Sequence, residues 1–274
     1  GGMRRLSAGR IPLWNPYMPR AARKGRALDS APEGAPRVVY FPSCASRTMG
    51  PARGDPETES LFAKTESLLR KAGYEVVYPD SGAALCCGQP FESKGFNDDA
   101  EFKMRQLEAS LRVASRDGQD PIVFDTSPCA FRARRDIGSG LKVYDIADFL
   151  HDFVIDRLQI SKIDEVVALH PTCSTIKMGL QPKLKAIAEA CAAEVVVPAQ
   201  VHCCGWSGDR GFTYPELNAN ALRNLSGEIP ATCNSGYSTS RTCEIGLSLH
   251  SGRHYRSIVY LLDRCSEPRA DLPR

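Results

Sequence analysis

The sequence has no uninterrupted apolar run approaching the roughly 20 residues that a helix needs to cross a bilayer. It also lacks an excess of charge of one sign, because a formal net charge of +3 is too small to indicate nucleic-acid binding. No Ser/His/Asp triad, carboxylate pair or phosphate-binding loop stands out. A chain of 274 residues with 42% apolar and 24% charged residues can bury the core of one large or two small domains, which excludes disorder.

No secretory signal opens the chain. Residues 1–26 contain seven Lys or Arg residues and no acid, as mitochondrial transit peptides do, but three prolines would interrupt a targeting helix. We therefore interpret residues 1–36 as a linker or docking segment. Its aromatic residues, Trp14 and Tyr17, are the apolar anchors expected to pack on a neighbouring domain.

Cysteine is abundant, with eleven residues. A chain of this size gains enough core without disulfides, and an odd number leaves at least one thiol unpaired in any bridging scheme. Disulfides are therefore the weaker explanation. We expect a reducing, cytoplasmic setting, in which any contact with the inner membrane would be peripheral and made through partners.

The chain contains an internal repeat, in which each half has a lone Cys, a Cys-Cys-Gly turn and a late Cys. The matching segments are Phe41–Cys44 with His170–Cys173, Cys86–Gly88 with Cys203–Gly205, and Ser127–Cys129 with Arg241–Cys243. Met49 and Met178 follow the first cysteine of each half at the same distance. This pattern divides the chain into the docking segment 1–36, a first repeat 37–160, a second repeat 161–266 and a tail 267–274.

Each half alternates between strand and helix patterns, which predicts an α/β fold with parallel sheets flanked by helices. In the first half we expect a strand from Arg37 to Tyr40 and then a helix that Asp55 caps. Residues 247–262 are expected to form one core helix. The fold class predicted is thus two duplicated αβ repeats related by a pseudo-two-fold axis, with the cysteines just past the carboxyl ends of strands, where open α/β sheets place their ligands.

Eight of the cysteines form two sets of four, one in each repeat. The first quartet is Cys44, Cys86, Cys87 and Cys129, and the second quartet is Cys173, Cys203, Cys204 and Cys243. Four thiolates suit a [4Fe–4S] cluster or a tetrahedral zinc ion. Adjacent cysteines with distant partners favour the larger cluster over zinc, because zinc sites usually use short Cys-x2–4-Cys knuckles. Gly88 and Gly205 would let the backbone approach a cluster and donate N–H groups to its sulfurs.

Three cysteines remain outside the quartets. Cys191 and Cys265 are expected in the core, since free cysteine is among the most buried residue types, while Cys233 could be a core residue or an alternative ligand. Other charged or titratable residues lie near the expected ligands. They are His170 and His202, which could tune or bind a cluster or simply pack, and Arg47, Arg210 and Arg241, which could offset its negative charge or lie exposed.

The repeated cysteine pattern resembles the cysteine-rich CCG domain family, found in the heterodisulfide reductases and in the iron–sulfur protein of glycolate oxidase. Three stretches, Pro42–Cys44, Leu85–Phe96 and Thr239–Gly246, are similar to the C-terminal region of bacterial FAD-binding and iron–sulfur D-lactate dehydrogenases. In that family a flavin domain and a ferredoxin-like domain precede this region. The sequence contains neither a Cys-x2-Cys-x2-Cys run nor a flavin-binding glycine loop, so it resembles the C-terminal module alone.

The resemblance implies an electron-transfer module that holds one or two [4Fe–4S] clusters and passes electrons from FAD, bound on a part absent from this chain, to a quinone or cytochrome. The implied substrate is D-lactate or a related 2-hydroxy acid, and the chain alone is not expected to turn it over. The full family motif ends in Cys-x-x-Cys, but Thr126 and Ser240 occupy the first of these positions, which favours an ordinary cubane over a non-cubane cluster. The alternatives are a zinc-binding structural or assembly module and a thiol–disulfide reductase of the heterodisulfide type.

Overall fold

The protein is described from a computed structural model, which covers residues 7, 11, 13–23, 34–80 and 84–270. The strands are β1 (Pro19–Ala21), β2 (Arg37–Phe41), β3 (Met49–Ala52), β4 (Glu75–Val77), β5 (Ile122–Phe124), β6 (Val143–Asp145), β7 (Leu158–Ile160), β8 (Ile163–Leu169), β9 (Ala192–Val196), β10 (Ser235–Ser238), β11 (His254–Ser257) and β12 (Ser266–Pro268).

The α-helices are α1 (Cys44–Thr48), α2 (Leu61–Lys71), α3 (Gln89–Glu92), α4 (Asn97–Ala114), α5 (Ser127–Asp136), α6 (Ile146–Phe149), α7 (Cys173–Lys177), α8 (Gln181–Cys191), α9 (Pro215–Ala221), α10 (Leu225–Glu228), α11 (Arg241–Ser251) and α12 (Ile258–Arg264). Helix α6 continues as a π-helical turn, Leu150–Val154, and a 3-10 turn, Ile155–Arg157. A second 3-10 turn spans Arg210–Phe212. No helix in the described part of the chain is long and apolar enough to cross a membrane.

Two four-stranded parallel sheets form the framework, one in each half of the chain. The first has the strand order β4-β2-β5-β6 and the second the equivalent order β9-β8-β10-β11. All the neighbouring strands within each sheet run parallel. The predicted α/β class with two duplicated repeats is therefore confirmed.

The halves pack against each other reciprocally, as a pseudo-two-fold relation requires. Helix α5 of the first half contacts α7 of the second, and α11 of the second contacts α1 of the first. In the same way, Met178 packs on the apolar cluster of the first half, while Met49 packs on that of the second. The expected equivalence of the two methionines agrees with their positions, since each is the C-cap of the short helix that its half's first cysteine begins.

The largest apolar cluster joins the two halves. It contains residues of both, including Leu68, Phe149, Ile187 and Leu261, all fully buried. A second contact between the halves, here called the polar seam, lies between the cysteine-bearing helices. It is lined by the buried hydroxyl groups of Ser127, Thr172, Thr175 and Thr239. The Thr175 hydroxyl donates to Ser127 at 3.2 Å across the halves, so polar groups at this seam are satisfied by one another.

Two predicted helix positions are wrong. Asp55 does not begin α2; its carboxylate accepts from the Glu57 N–H at 2.9 Å and binds Arg256 of the second half, so the chain turns before the helix begins at Leu61. Residues 247–262 do not form one helix, because α11 ends at Gly252, whose φ of 72° is a left-handed helix stop. Strand β11 follows before α12 begins.

Part of the segment 1–36 lies against the body of the chain. Strand β1 pairs antiparallel with β3, and the Tyr17 ring meets the His254 ring edge-on with centroids 5.3 Å apart. Trp14 stays 71% exposed. The other residues of the segment that carried the docking interpretation, 1–6, 8–10, 12 and 24–33, lie outside the described residues, as do 271–274 of the tail.

Candidate metal centres

The first quartet is assembled at the carboxyl edge of the first sheet. Cys44 opens α1 directly after β2, and the preceding Ser43 caps this helix by accepting from the Ser46 N–H. Cys129 lies in the first turn of α5, which follows β5. The turn at Cys86 and Cys87 comes after β4 and leads into α3. Because parallel strands end at the same sheet edge, three distant stretches of chain bring their cysteines together.

Within the first quartet the adjacent cysteines diverge. Cys86 is hydrogen-bonded to Cys44 and to its neighbour Cys87, whereas Cys87 is buried, with its Sγ 3.1 Å from that of Cys129. Cys44 is exposed, and Cys87 and Cys129 are buried. The four thiols thus form one group with an inner and an outer pair.

The second quartet repeats this arrangement. Cys173 opens α7 and is hydrogen-bonded to Cys203, and the Sγ atoms of Cys204 and Cys243 lie 2.8 Å apart. Cys173 and Cys203 are exposed, and the inner pair is buried. The structure therefore brings together the four cysteines of each predicted quartet, and each group is built from one half of the chain.

The outer member of each adjacent pair is the thiol that ionises first. A hydrogen bond from Cys44 lowers the pKa of Cys86 to about 2, and one from Cys173 lowers that of Cys203 to about 2. The backbone N–H of Gly88 also donates to the Cys86 sulfur at 3.4 Å, and that of Gly205 to the Cys203 sulfur at 3.4 Å. The thiolate is the form of cysteine that binds metals, so Cys86 and Cys203 are the thiols of their groups most ready to do so.

Both glycines of the Cys-Cys-Gly turns are required by their backbone. Gly88 has a φ of 80°, and a methyl group on it would lie 2.4 Å from the Ala100 carbonyl oxygen of α4. Gly205 has a φ of 67°, and its methyl would lie 2.5 Å from the Leu217 carbonyl oxygen of α9. Each turn thus presses its backbone on a helix, which holds the adjacent cysteines in place.

Different side chains support the two turns, and neither supporting contact was predicted from the sequence. In the first half the buried Arg132 of α5 forms an ion pair with Glu92 of α3 at 2.5 Å. In the second half Gly246 takes the place of this arginine, and the Asn218 amide donates to the Cys204 carbonyl at 2.5 Å. Glu92 lies in the stretch Leu85–Phe96 that resembles the D-lactate dehydrogenases. No local sequence pattern identifies Asn218, which lies 14 residues after Cys204.

The three arginines near the predicted ligands have different surroundings. The pKa of Cys86 is lowered chiefly by hydrogen bonds with Cys44 and Cys87, and the Arg47 charge adds to this lowering. Arg210 donates to the Ser93 carbonyl of the first half at 3.0 Å. Arg241 is buried, pairs with Glu244 at 3.1 Å and donates to the Gly50 carbonyl at 2.6 Å, so it joins the halves.

The two histidines also differ, because His202 is exposed and His170 is 1% exposed. The Nε2 atom of His170 has no hydrogen-bond partner within the described residues. Burial lowers the pKa of His170 to about 4, so its imidazole is neutral in the fold at neutral pH.

Replacing His170 by Phe, the residue at the matching position Phe41, should change how the stability of the metal-free chain depends on pH. A neutral histidine in the fold must be protonated on unfolding, so its contribution is present above about pH 6.5 and is lost as pH falls to about 4. Between pH 6.5 and pH 4 the free energy of unfolding of the wild type should therefore fall by about 3 kcal/mol more than that of His170→Phe. Urea unfolding of both chains at a series of pH values measures the difference, and parallel pH profiles would contradict the burial of a neutral imidazole.

The three remaining cysteines are buried, as expected for core residues: Cys191 is 0%, Cys233 0% and Cys265 3% exposed. The Cys233 thiol donates to the Ser235 carbonyl at 3.3 Å and lies in the apolar cluster that contains Cys204 and Cys243. This contact and its full burial favour the packing role for Cys233.

Four sulfur donors in each group form the ligand set that soft metals and iron–sulfur clusters take, so the residues present fit such a group. In residues 7, 11, 13–23, 34–80 and 84–270, no three Cys, His, Asp or Glu side chains stand in the arrangement of a single metal-ion site. Thr126 and Ser240, where the full motif has further cysteines, are both buried N-cap residues of the helices that carry Cys129 and Cys243. The Thr126 hydroxyl is hydrogen-bonded to that of Ser43 at 2.9 Å, so it links the start of α5 to the start of α1.

The chain is similar to curated proteins that are named for lactate utilization. Lactate utilization protein A of Macrococcus caseolyticus is 28% identical over 158 residues, which cover 53% of this chain and 63% of that protein. Lactate utilization protein A of Oceanobacillus iheyensis is 24% identical over 184 residues, covering 61% of this chain and 73% of that protein. The match thus spans less than two thirds of the Macrococcus protein.

Among solved structures, an aspartate racemase of Picrophilus torridus matches 85% of this chain and 95% of its own, with a TM-score of 0.37 and 8% identity. The family model of the CCG cysteine-rich domain matches residues 38–132 and 167–234, together more than half of the chain. Every quartet cysteine except Cys243 lies within these residues. With one match in each half, around each Cys-Cys-Gly turn, the chain belongs to the CCG cysteine-rich domain family.

Proposed function

We propose that the chain is an iron–sulfur electron-transfer module of an enzyme that oxidises lactate or a related 2-hydroxy acid. The observation that carries this proposal is the convergence of four thiols at the carboxyl edge of each parallel sheet, with a glycine N–H directed at one sulfur in each group. Each quartet would hold one [4Fe–4S] cluster through its four cysteines. Such a cluster, when bound, takes up and releases single electrons.

The position of the quartets supports a relay. Each has an inner pair inside an apolar cluster and an exposed first cysteine, so a bound group would be shielded from water on one side and reachable on the other. The loops that follow the two turns also meet across the halves. Lys94 pairs with Asp209 at 2.6 Å, so the segments after Cys87 and Cys204 are held side by side.

The substrate class and partners are proposed from similarity. The relatives from Macrococcus and Oceanobacillus are named for lactate utilization, and the resemblance to D-lactate dehydrogenases adds an FAD domain and a ferredoxin-like domain as partners. In this proposal the flavin removes the hydride from the substrate, and this chain passes electrons to a quinone or cytochrome. The module would work in the cytoplasm, reaching the inner membrane only through its partners.

The test is an anaerobic reconstitution of the chain with iron and sulfide, with zinc offered in a parallel sample. We expect iron and sulfide in equal amounts, and a reducible cluster spectrum. Zinc retained in preference to iron would support a structural or assembly module instead. Reduction of a small disulfide by the metal-free chain, with no cluster formed, would support the thiol–disulfide alternative.

A second experiment tests the relay and the docking segment. The reconstituted chain with D-lactate and a dye acceptor should show no turnover, and turnover should appear when separately produced flavin and ferredoxin-like domains are added. Turnover by the chain alone would contradict the relay. Trp14→Ala should weaken this coupling while changing the free energy of unfolding by less than about 0.5 kcal/mol, because the Trp14 side chain is 71% exposed.

A further inference from the structure

A pair of cysteines outside both quartets lies where the end of α8 meets the end of α12. Cys191 is the last residue of α8 and Cys265 is the C-cap of α12. The two thiols are hydrogen-bonded to each other, and the Cys265 thiol also lies 3.4 Å from the Cys191 carbonyl oxygen, to which it donates. Of the three cysteines outside the quartets, Cys191 and Cys265 are therefore in contact with each other.

We propose that Cys191 and Cys265 are a reversible disulfide site, closed by a low-molecular-weight disulfide and opened by thiols. The bridge would join two helices that already pack together, and would close a loop that contains Cys203, Cys204 and Cys243 of the second quartet. This site is independent of any metal and goes beyond electron transfer.

The chemistry balances with one oxidant molecule. The Cys265 thiolate attacks one sulfur of the oxidant R–S–S–R and releases R–S⁻, which leaves a mixed disulfide on Cys265. The Cys191 thiol gives its proton to the released thiolate and attacks the Cys265 sulfur, releasing the second R–S⁻, which takes up the proton lost from Cys265. Two protein thiols are oxidised to one disulfide, and the oxidant is reduced to two R–SH.

Cys265 is the member of the pair suited to attack first. The hydrogen bond from Cys191 lowers the pKa of Cys265, and the nearby charge of Arg264 lowers it further. The same hydrogen bond raises the pKa of Cys191, which keeps its proton until the second step. Access is expected through local opening at the chain end, since Cys265 directly precedes the short strand β12, which pairs only with β7 in the described part of the chain.

The structure also supplies an internal control. Cys233 is as deeply buried as Cys191, but its thiol donates to the Ser235 carbonyl at 3.3 Å and has no thiol beside it in the described residues. Burial alone therefore does not distinguish the three cysteines, whereas the contact between Cys191 and Cys265 does.

The experiment treats the folded full chain with bis(2-hydroxyethyl) disulfide, blocks the remaining thiols with iodoacetamide and cleaves after glutamate. Peptide 190–194 then holds Cys191 alone and peptide 245–274 holds Cys265 alone, because the bond from Glu267 to Pro268 is not cleaved, so neither can be confused with a quartet cysteine. We expect these two peptides to be recovered joined, with Cys233 alkylated, and dithiothreitol to separate them. Recovery of both as alkylated or mixed-disulfide peptides would overturn the proposal.

Two further samples test whether the cross-link is specific to Cys191 and Cys265 and depends on the fold. Cys191→Ser should leave Cys265 as the unresolved mixed disulfide with 2-mercaptoethanol; a cross-link from Cys265 to another cysteine would count against the site. The same oxidation in concentrated urea should give the 190–194 to 245–274 product in much lower yield, because eleven cysteines then pair at random. An equal yield in urea would show that the fold does not select the pair.

Discussion

Replacing Cys204 by Ser should remove about half of the iron and sulfide that the reconstituted wild-type chain binds, since each cluster needs its four thiolates. The Cys204 sulfur lies 2.8 Å from that of Cys243 inside an apolar cluster, and its neighbour Cys203 is hydrogen-bonded to Cys173 as well as to Cys204. In the proposed ligand set Cys203 already occupies a corner of its own, so it cannot replace the Cys204 thiolate. Cys87→Ser should remove the other half, and the double variant should bind almost none. Iron, sulfide and protein assays on the same anaerobic samples measure this.

Cys233→Ser is the matched control, because Cys233 lies in the same half and is fully buried, but its thiol is hydrogen-bonded to the backbone of Ser235 and Ala168. This variant should keep the full content of iron and sulfide. A loss equal to that of Cys204→Ser would make Cys233 a ligand and would contradict the second quartet. Full cluster content in both Cys87→Ser and Cys204→Ser would contradict the ligand assignment in both halves.

Gly205→Ala should destabilise the metal-free chain by at least about 2 kcal/mol, and should also impair loading of the second quartet. The substitution adds two costs, because Gly205 has a φ of 67° and the new methyl would lie 2.5 Å from the Leu217 carbonyl oxygen. To relieve this steric clash the turn must move away from α9. The movement would separate Cys203 from Cys173 and Cys204 from Cys243. Urea unfolding gives the first effect and iron content of the reconstituted chain the second.

The control for this substitution is Gly252→Ala. Gly252 has a φ of 72° but no atom within 4 Å of the added methyl, so it carries only the backbone cost, about 1 kcal/mol. Its iron content should stay at the wild-type value. If both variants lose the same stability and keep their iron, the close approach of the turn to α9 is not what holds the second quartet.

The sequence alone determined the duplication, the α/β class and the grouping of eight cysteines. These follow from local patterns, because each strand that leads into a cysteine is a short apolar run and each helix has the apolar spacing of one buried face. The prediction that adjacent cysteines diverge also rested on sequence, since neighbouring Cβ atoms in a turn cannot share one corner of a site. In the structure the Cys86 thiol is hydrogen-bonded to Cys44 and the Cys87 thiol to Cys129, although the two adjacent thiols are also hydrogen-bonded to each other.

Only the tertiary structure decided what joins the two halves and what supports each turn. Asp55 is a good helix cap by local rules, yet Arg256, 201 residues away, binds it in a turn before the helix. The Arg132–Glu92 ion pair, the Asn218 hydrogen bond to Cys204 and the contact of Cys191 with Cys265 likewise join residues from separate elements. Such contacts depend on how helices cross and which strands are neighbours, so their energies come from packing that no local pattern encodes.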